Sequence, residues 1–364
     1  MYKIYKIGLL GFGHIGKGVN KVLESLSKRQ PVELVKIFDI EEKKEEIGPR
    51  FVSSIDEITD DPNIDIVIEA LGGNAFPFEC IKQALKAKKH VITSNKEVVS
   101  KHIIELLALA HTNDVFFQFE ASVGGGIPLI NPLINLTKYD TIVSLRGILN
   151  STTNIILTQM QDNNMSLEKA LDYTKELGVV EKDYQMDLLG YDLAQKIALL
   201  SSLAFKSYVE PKLVPRRGIQ GINLDIIKDI NSKGYYLKFL AEAKLETDTL
   251  RIGVEPALVN INHQLVSIKN DYSDICIILK DSGKIQFAGK GSGSIPASCS
   301  IESDIIRVIE NNGYIQNIDI NNYKIEDLHT KTTKYYVYKD NKSFITTFDE
   351  IENINPEFYA RISD

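Results

Sequence analysis

The feature that most constrains how this chain can fold is a glycine-rich turn near its N-terminus. Residues 4–10 (IYKIGLL) have the pattern of a short apolar strand and run directly into GFGHIG, in which Gly11, Gly13 and Gly16 have the spacing G-x-G-x-x-G. The following KGVNKVLESL places apolar side chains on one helical face, and a second strand, VELVKIFD, ends at Asp39. Strand, glycine turn, helix, strand and acid in this order predict a βαβ unit that binds a dinucleotide.

Each part of this unit has a physical task. The first glycine makes the tight turn, the second lets the backbone approach a pyrophosphate, and the third lets helix and strand pack closely. The N-terminus of the helix that follows then directs its free N–H groups at the phosphates. Asp39 can accept a hydrogen bond from a ribose 2′-hydroxyl and would repel a 2′-phosphate, which favours NAD over NADP. Lys43 and Lys44 lie a few residues later and could reach back to oppose this preference.

Strand and helix patterns continue to alternate after this unit, at residues 64–71, 77–88, 90–93, 103–110 and 115–119. Short apolar strands that alternate with helices predict a parallel sheet covered on both faces. Ligands of such sheets bind beyond the carboxyl ends of the strands, where Ser94 and Lys96 lie. Lys96 is therefore a candidate site residue, although a single lysine at the start of a helix is more often only solvated.

Composition and charge limit the classes of function. The formal net charge of -7 and the lack of a basic stripe argue against nucleic acid as a partner. No segment approaches the roughly 18 consecutive apolar residues of a membrane span, and the N-terminus has no signal-peptide pattern, so we expect a cytoplasmic protein without a membrane partner. Cys80, Cys276 and Cys299 match neither a disulfide framework nor a zinc site and are expected to be buried, reduced thiols.

An acidic stretch precedes an apolar helix in the middle of the chain. Residues 179–196 (VVEKDYQMDLLGYDLAQK) carry Glu181, Asp187 and Asp192 before Lys196, and the helix that they enter is apolar nearly all round. An i,i+4 pair of Asp192 and Lys196 would contribute only ~0.3–0.5 kcal/mol, whereas burial of an unpaired lysine costs several kcal/mol. Two interpretations stay open: a structural ion-pair network, or acids that surround the amine of a small zwitterionic substrate with Lys196 at the point of proton transfer.

Two further loops carry chemical patterns. FEASVGGGIPLI, at residues 119–130, could gather backbone carbonyls around a cation near Glu120, or it could be only a hinge. RGILNSTTNIILTQM is a strand that turns into a helix, and the hydroxyls of Ser151, Thr152 and Thr153 either cap this helix or line a pocket. Capping alone would explain one of these hydroxyls and not the others.

Taken together, these motifs resemble those of the homoserine dehydrogenase family. The matching stretches cover about residues 7–306 in the family's order: GLLGFGHIGKGV, DIVIEALGG, KKHVITSNK, FEASVGGGIPLI, GILNSTTNIILTQM, LGVVEKDYQMDLLGYDLAQKIALL and FAGKGSGSIPASCSIESDI. The resemblance implies interconversion of L-homoserine and L-aspartate 4-semialdehyde with NAD or NADP, in threonine and methionine biosynthesis. It also implies a small amino-acid substrate and a homodimer.

The resemblance assigns roles to residues as well. Lys96 and Lys196 would be the active-site lysines, with Lys196 exchanging the proton at the substrate oxygen. The residues that would bind the substrate are Glu181, Asp187, Asp192 and Thr152. The residues that would contact the cofactor are Gly11, Gly13, His14, Ile15, Gly16, Asp39, Ser94, Lys96, Gly178 and Gly291. The loop that resembles the family's sodium site contains Glu120, Val123, Gly125 and Ile127.

Two positions in the substrate segments depart from the family pattern. Ser151 stands where the family usually has glycine in its N-G-T-T-N turn, and Tyr184 replaces the proline of its A-E-x-D-P run. These departures leave two alternatives open. One is a degenerate dinucleotide-binding paralogue that senses or scaffolds, and the other is a related oxidoreductase that acts on a different aldehyde.

We expect an α/β protein with a Rossmann-type dinucleotide-binding domain and a second, α+β domain for catalysis and dimerisation. The first domain would occupy residues 1–135 and the second residues 136–300. Residues 301–328 would return to the first domain as a helix, and residues 329–364 would form a short C-terminal tail.

The tail carries two strand patterns, KYYVY and FITTF, joined at Asp340 and Asn341. They predict a hairpin, which should dock on the main body by burying Tyr335, Val337 and Ile345 because an isolated hairpin is only marginally stable. A hairpin with one short helix is less than a full ACT domain, which needs four strands and two helices. Strong feedback inhibition by threonine through this region is therefore not expected.

Overall fold

The computed structural model describes residues 3–178, 184–313 and 323–363. The predicted substrate residue Glu181 lies outside these ranges. The chain divides into two compact units. The first unit comprises Met1–Lys138 and Gly293–Ile320, and the second comprises Tyr139–Ser292 and Asn321–Asp364.

The first unit is built on a parallel sheet. Its strands are β1 (Tyr5–Leu10), β2 (Val32–Phe38), β3 (Phe51–Val52), β4 (Ile66–Glu69), β5 (His90–Thr93) and β6 (Phe117–Gln118). The helices that alternate with or follow them are α1 (His14–Leu26), α2 (Lys44–Ile47), α3 (Asp56–Thr59), α4 (Ala75–Lys86), α5 (Lys96–Thr112) and α6 (Ile130–Leu136). The strand order is β3-β2-β1-β4-β5-β6, and neighbouring strands run parallel. This is the predicted Rossmann-type arrangement, with the glycine turn at the carboxyl end of β1, where the strand order reverses.

Packing fixes α1 against this sheet. Ile7 and Leu9 of β1 are fully buried, and α1 buries Val19, Leu23 and Leu26 in the same apolar cluster. A fully buried side chain of this size contributes roughly 1.5–3 kcal/mol relative to an exposed one. Burial of the predicted apolar face, more than helix propensity, therefore holds the N-terminus of α1 at the glycine turn.

The second unit contains a mixed sheet with helices packed on it. Its first strands are β7 (Ile142–Ile148), β8 (Tyr235–Glu246), β9 (Thr249–Asn260), β10 (Tyr272–Leu279) and β11 (Gly283–Lys290), which pair antiparallel in the order β11-β10-β7-β8-β9. Its helices in this region are α7 (Ser151–Asp162), α8 (Leu167–Glu176), α9 (Tyr184–Leu188), α10 (Tyr191–Ala204) and α11 (Leu224–Ser232). The α10 helix is buried along most of its length, as its apolar sequence predicts.

The chain then returns to the first unit through α12 (Ser294–Ile309). This helix crosses α1 closely at Gly18, where a Cβ atom would lie 2.3 Å from the Ser294 hydroxyl and 2.5 Å from the Ser298 hydroxyl. The Ser294 hydroxyl also donates to the carbonyl oxygen of His14 at 2.7 Å. The return helix thus begins at Ser294, before residue 301. Pro296 lies in its first turn, where the missing N–H of proline costs no helical hydrogen bond.

The C-terminal segment forms more structure than a hairpin. It contains β12 (Lys324–Glu326), β13 (Lys334–Lys339), β14 (Lys342–Thr347), α13 (Phe348–Ile354) and β15 (Phe358–Ser363). The predicted hairpin is present as β13 and β14. The β15 strand lies between β9 and β13, parallel to the former and antiparallel to the latter, and β12 also pairs with β9. The segment therefore extends the sheet of the second unit.

This arrangement corrects one predicted contact of the tail. Tyr335 and Val337 are fully buried, because β13 has a strand on each side and lies inside the sheet. The prediction that Ile345 is buried was wrong, because it pairs with Tyr336 and so lies on the face opposite Tyr335 and Val337, on the strand that forms the sheet edge. The residue is 58% exposed. The turn residues Asp340 and Asn341 both have positive φ, which suits the type I′ geometry that two-residue hairpins favour.

The cysteines and the membrane prediction can be compared with the structure as well. Cys80 is buried, Cys276 is half-buried and Cys299 is exposed, and none of them forms a disulfide within the described residues. The prediction of buried thiols was therefore wrong for Cys299. Across the described part of the chain, no helix is both long and apolar enough to cross a membrane.

Candidate active site

The glycine turn has the geometry that a pyrophosphate requires. Gly11 has a φ of +97°, and a Cβ atom there would lie 2.6 Å from the carbonyl oxygen of Ala70. A Cβ atom at Gly16 would lie 2.0 Å from the carbonyl oxygen of Gly11, so helix and strand could not approach. Nothing lies within 4 Å of the corresponding position at Gly13, the N-cap of α1. The space beside Gly13 is therefore open for a ligand, at the point where the backbone must come close to the pyrophosphate.

The N-terminus of α1 is suited to an anion. No side chain caps it, and its first turn, which begins at His14 and Ile15, contains no acidic residue. The first backbone N–H groups of a helix have no intrahelical partner and carry a partial positive charge. These residues fit the pyrophosphate of a nicotinamide dinucleotide.

Asp39 is held at the rim of this turn. Its carboxylate accepts hydrogen bonds from the backbone N–H groups of Phe12 and of Ile40, the latter at 2.7 Å. A carboxylate can accept further bonds, so these contacts orient Asp39 without preventing it from binding a ribose hydroxyl.

The lysines that could oppose a preference for NAD are engaged locally. Lys43 Nζ lies 3.0 Å from a carboxylate oxygen of Glu46, and Lys44 Nζ lies 2.8 Å from one of Glu41. Such surface pairs are weak and exchange readily with solvent. They nevertheless lower the positive charge that a 2′-phosphate would meet.

A buried carboxyl group organises the carboxyl ends of β4 and β5. Glu69 is fully buried and accepts hydrogen bonds from the Leu71 N–H at 2.7 Å and from the Thr93 hydroxyl. Thr93 in turn accepts from the Asn95 N–H at 2.9 Å, and the Asn95 side chain caps α5. Lys96 is the first residue of α5, so this network fixes the backbone from which Lys96 extends. The sequence analysis singled out Lys96 and Ser94 as candidates but did not consider Glu69.

Two of the predicted substrate-binding acids, Asp187 and Asp192, are brought together by Asn150. The Asn150 amide nitrogen donates to Asp187 Oδ1 at 2.8 Å and to Asp192 Oδ2 at 2.9 Å. Its amide oxygen accepts from the backbone N–H and the hydroxyl of Thr153, each at 2.8 Å, and thereby caps α7. The cap is thus the asparagine and not a hydroxyl. Thr152 lies beside it, buried in the first turn of α7.

Lys196 is part of the same cluster. Its ammonium lies 3.0 Å from Asp192 Oδ2 and donates to the carbonyl oxygen of Leu149 at 2.6 Å. The side chains of Lys196 and Asp192 are only 12% and 8% exposed. An ammonium has three donors, so Lys196 can keep both contacts and still donate to a substrate oxygen.

Two glycines of the second unit that are predicted to contact the cofactor, Gly178 and Gly291, lie in loops. Gly178 has positive φ directly after α8, which suits a glycine there. The Gly291 N–H donates to the Asp271 carbonyl oxygen at 3.0 Å, and a Cβ atom at Gly291 would lie 1.8 Å from the Ser273 hydroxyl. The hydroxyl of Ser151, the first departure from the family pattern, donates to the same carbonyl oxygen at 3.4 Å. It therefore joins the loop of Gly291 to α7.

The second departure, Tyr184, opens α9. The Lys175 ammonium lies 5.2 Å from the centre of its ring, which gives the tyrosine a contact with α8. Tyr184 therefore packs against Lys175 of α8, at the start of the short helix that carries Asp187.

The loop of the predicted sodium site has a structural role of its own. The Glu120 carboxylate accepts from the backbone N–H groups of Leu129, Ile130 and Asn131 at 2.5, 2.7 and 2.9 Å, and from the Asn131 side-chain amide at 2.5 Å. The Glu120 carboxylate thus caps the N-terminus of α6. These four hydrogen bonds use the lone pairs of both carboxylate oxygens.

Main-chain carbonyls are what this loop retains for a cation. The Ser300 hydroxyl donates to the carbonyl oxygen of Gly125 at 2.6 Å, while Val123 and Ile127 lie buried in the same loop. Among the described residues, no cluster of three or more His, Cys, Asp or Glu side chains could hold a metal ion.

Comparisons with known proteins decide the family. Models described as "Homoserine dehydrogenase, NAD binding domain" and "Homoserine dehydrogenase" match residues 11–120 and 128–306. The chain is 34% identical over 319 residues to the homoserine dehydrogenase of Bacillus subtilis (strain 168), over 85% of this chain and 74% of that protein. It is 31% identical over 368 residues to that of Synechocystis sp., over 98% and 82%. The chain belongs to the homoserine dehydrogenase family.

Solved structures agree with this assignment. The structure titled "S. aureus Homoserine Dehydrogenase at pH7.5" is 26% identical, with a TM-score of 0.81 over 100% of both chains. A homoserine dehydrogenase from Thiobacillus denitrificans, 24% identical and with a TM-score of 0.87 over 100% of this chain and 99% of that one, shares the fold. The protein is an oxidoreductase that uses a nicotinamide dinucleotide to interconvert L-homoserine and L-aspartate 4-semialdehyde in amino-acid biosynthesis. The comparisons support this activity over both alternatives considered from sequence.

Glu69 generates a prediction about stability and pH. Burial raises the pKa of its carboxyl group from the usual 4.5 to about 7. Between these values the folded chain keeps a proton that the unfolded chain releases, so the free energy of unfolding falls as pH rises from about 4.5 to 7 and is level above. Glu69→Gln should remove this component, which is on the order of 3 kcal/mol.

Chemical denaturation at about pH 5 and pH 7.5 measures the difference. Glu79→Gln is the matched control, because its side chain is 67% exposed and the change of charge is the same. If the unfolding free energy of Glu69→Gln varied with pH as steeply as that of the control, Glu69 would not be the titrating group.

Proposed function

We propose that the cluster around Asn150 is the substrate half of the active site, with Lys196 as the proton donor and acceptor at the substrate oxygen. The observation that carries this proposal is the buried ammonium of Lys196, held by Asp192 and the carbonyl of Leu149. Burying this charge is costly even when it is paired, and an ion pair on the surface would avoid that cost. A use in proton transfer accounts for its position.

The mechanism assigns a separate task to each residue. The bound cofactor supplies or accepts the hydride at the substrate carbon. In the reducing direction, negative charge develops on the aldehyde oxygen, and Lys196 stabilises it and donates a proton. In the oxidising direction, the neutral amine of Lys196 receives the hydroxyl proton and becomes the ammonium. Its contacts with Asp192 and Leu149 hold the ammonium in place before the reaction, so little reorganisation is required.

The acids bind the other end of the substrate. Asp187 and Asp192 would accept hydrogen bonds from the substrate ammonium, since charge-assisted bonds between ammonium and carboxylate are the strongest available to it. Glu181 and Thr152 would complete this site. The Asn150 amide keeps the two aspartates together in spite of their like charge.

We propose that the cofactor is bound by residues of the first unit and by the loops that contain Gly178 and Gly291. NAD is favoured over NADP because Asp39 stands at the glycine turn and the nearby lysines are paired with glutamates. The residues proposed to contact the cofactor are Gly11, Gly13, His14, Ile15, Gly16, Asp39, Ser94, Lys96, Gly178 and Gly291.

Further proposals concern a cation, the assembly and the cellular location. Main-chain carbonyls of the loop that contains Glu120, Val123, Gly125 and Ile127 would bind sodium.

We propose a homodimer formed through the second unit, whose sheet carries a cavity of about 300 Å³ lined by residues of β7, β8 and β10. We also propose a cytoplasmic location, in line with the use of a nicotinamide cofactor, and a tail that is not a full ACT domain.

The catalytic role of Lys196 can be tested with a substitution that preserves charge. Lys196→Arg retains a cation beside Asp192 but not a group that can be deprotonated in a protein. We expect kcat to fall by roughly 10²–10⁴-fold, with the chain folded and cofactor binding unchanged. Lys212→Ala, at an exposed lysine, is the control. NAD(P)H formation with L-homoserine measures kcat, and near wild-type turnover in a folded Lys196→Arg would remove Lys196 from the mechanism.

The role of Asp192 is tested by the Michaelis constants. Asp192→Asn removes a charge from the proposed ammonium site while keeping the size of the side chain. The KM for L-homoserine should rise by about 10- to 100-fold, since a hydrogen bond to a charged group contributes ~1.5–3 kcal/mol. The KM for the cofactor should not change. An unchanged KM for homoserine would return Asp192 to a purely structural role.

Cofactor preference is tested at Asp39. We expect a lower KM for NAD than for NADP, because the carboxylate repels a 2′-phosphate. Asp39→Ser should narrow this difference by raising the KM for NAD and lowering the KM for NADP. The measurement is the ratio of kcat/KM for the two cofactors in both proteins, and a wild-type preference for NADP would show that Lys43, Lys44 or other cations prevail.

A further inference from the structure

A buried carboxylate joins the C-terminal segment to the sheet of the second unit. Glu255, on β9, is 1% exposed. It lies 2.6 Å from Arg361 Nε of β15 and pairs with the guanidinium of Arg217. The hydroxyl of Tyr335, on β13, donates to Glu255 at 2.9 Å. Two strands of the C-terminal segment thus meet Arg217 at a single carboxylate.

Arg217 has further contacts in the C-terminal segment. Its Nη1 atom lies 3.1 Å from Asp327 Oδ2. Its guanidinium lies 5.5 Å from the ring centre of Phe348 and 5.9 Å from that of Tyr335. Only 18% of its side chain is exposed. A planar guanidinium can serve several acceptors in fixed directions, so these contacts define its position closely.

The backbone around Arg217 is bound on two sides. On one side, the Arg217 N–H donates to the Val254 carbonyl oxygen of β9 at 2.8 Å. On the other, the Ile219 N–H donates to the Leu188 carbonyl oxygen at 3.0 Å. Leu188 is the last residue of α9 and directly follows Asp187. Residues 215–219 therefore bridge the sheet and the helix that carries one substrate acid.

Arg216 makes a second contact with this region. Its guanidinium lies 3.7 Å from the ring centre of Tyr191, the first residue of α10, which directly precedes Asp192. The bridge is tightly packed: a Cβ atom at Gly218 would lie 2.5 Å from the Leu188 carbonyl oxygen. A displacement of residues 215–219 would therefore move the turn between Asp187 and Asp192.

We propose that Arg217 is a positioning residue for substrate binding, which couples the C-terminal segment to the Asp187 and Asp192 carboxylates through residues 215–219. The inference rests on the proposed function, since it requires these aspartates to bind the substrate ammonium. Arg217 does not have to touch the substrate. It fixes one side of the turn that Asn150 holds from the other side.

Arg251 offers a matched control. It also joins β9 to the C-terminal segment, through Glu326 at 3.0 Å and the Asp327 carbonyl oxygen at 3.2 Å. Its remaining partner is Glu246, at 2.9 Å. It is not part of the segment that contacts α9 and α10. Loss of Arg251 therefore removes a tail contact at the main-chain carbonyl of Asp327 but leaves in place the pairs of Arg217 with Glu255 and with the Asp327 carboxylate.

The experiment compares Arg217→Met with Arg251→Met by steady-state kinetics and thermal unfolding. Arg217→Met should raise the KM for L-homoserine by about five- to thirtyfold, with the KM for the cofactor changed less than about twofold. Arg251→Met should leave both constants within about twofold, whatever its effect on the melting temperature. Equal rises in the homoserine KM in both variants would show a general structural effect and overturn the proposal.

A double variant separates this inference from the proposed function. If Arg217 acts through Asp192, adding Arg217→Met to Asp192→Asn should raise the homoserine KM by about twofold or less. If Asp192→Asn alone leaves the KM unchanged, the proposed function fails. If Asp192→Asn raises the KM but Arg217→Met has no effect, or keeps its full effect in the double variant, only the positioning role fails.

Milder variants cover the case in which Arg217→Met does not fold. Arg217→Lys keeps a positive charge beside Glu255 but loses the fork that also reaches Asp327. Tyr335→Phe removes one donor to Glu255. Both should raise the homoserine KM in the same direction by a smaller factor, and neither should change the cofactor KM. A folded Arg217→Lys with wild-type constants would contradict the proposal.

Discussion

The side-chain amide of Asn150 is the interaction on which the substrate half of the site depends. The Asn150 NH₂ supplies a hydrogen to each of two aspartates of like charge, which offsets their mutual repulsion. Because its oxygen is committed to the N-terminus of α7, the amide cannot rotate without losing the helix cap. The positions of Asp187, Asp192 and therefore Lys196 follow from the start of one helix.

Buried carboxyl groups do similar work in the first unit. Glu69 ties together the ends of β4 and β5, and Glu120 closes the N-terminus of α6. Each satisfies donors that would otherwise be buried without partners, which would cost more than the hydrogen bonds contribute. The loops beyond the strands are thus fixed by groups behind the site, while the open space at Gly13 is left to the ligand.

The sequence predicts the parts of this structure that local patterns determine. The glycine turn, the alternating strands and helices, the buried α10 and the hairpin at Asp340 and Asn341 follow from periodicity and turn chemistry. Asn150 has the residue type of a helix cap, but its bonds to distant aspartates have no local signal. The two-residue turn pairs Ile345 with Tyr336, so its face, opposite that of Tyr335 and Val337, follows from the hairpin register. The place of β14 at the sheet edge could not be predicted, because it depends on β15 taking the inner side of β13. Pairings of this kind join residues far apart in the chain.

The placement of β15 also changes how the C-terminal segment should be regarded. A docked hairpin could be removed with limited damage, whereas β15 separates β9 from β13 and supplies Arg361 to the buried Glu255. Cutting the chain near Leu328 would therefore open the sheet and remove both Arg361 and Tyr335, two partners of the buried Glu255. Loss of activity in such a truncation would report loss of structure, and it could not distinguish a regulatory tail from a structural one. Point substitutions at Arg217 and Arg251 make that distinction because they leave the sheet complete.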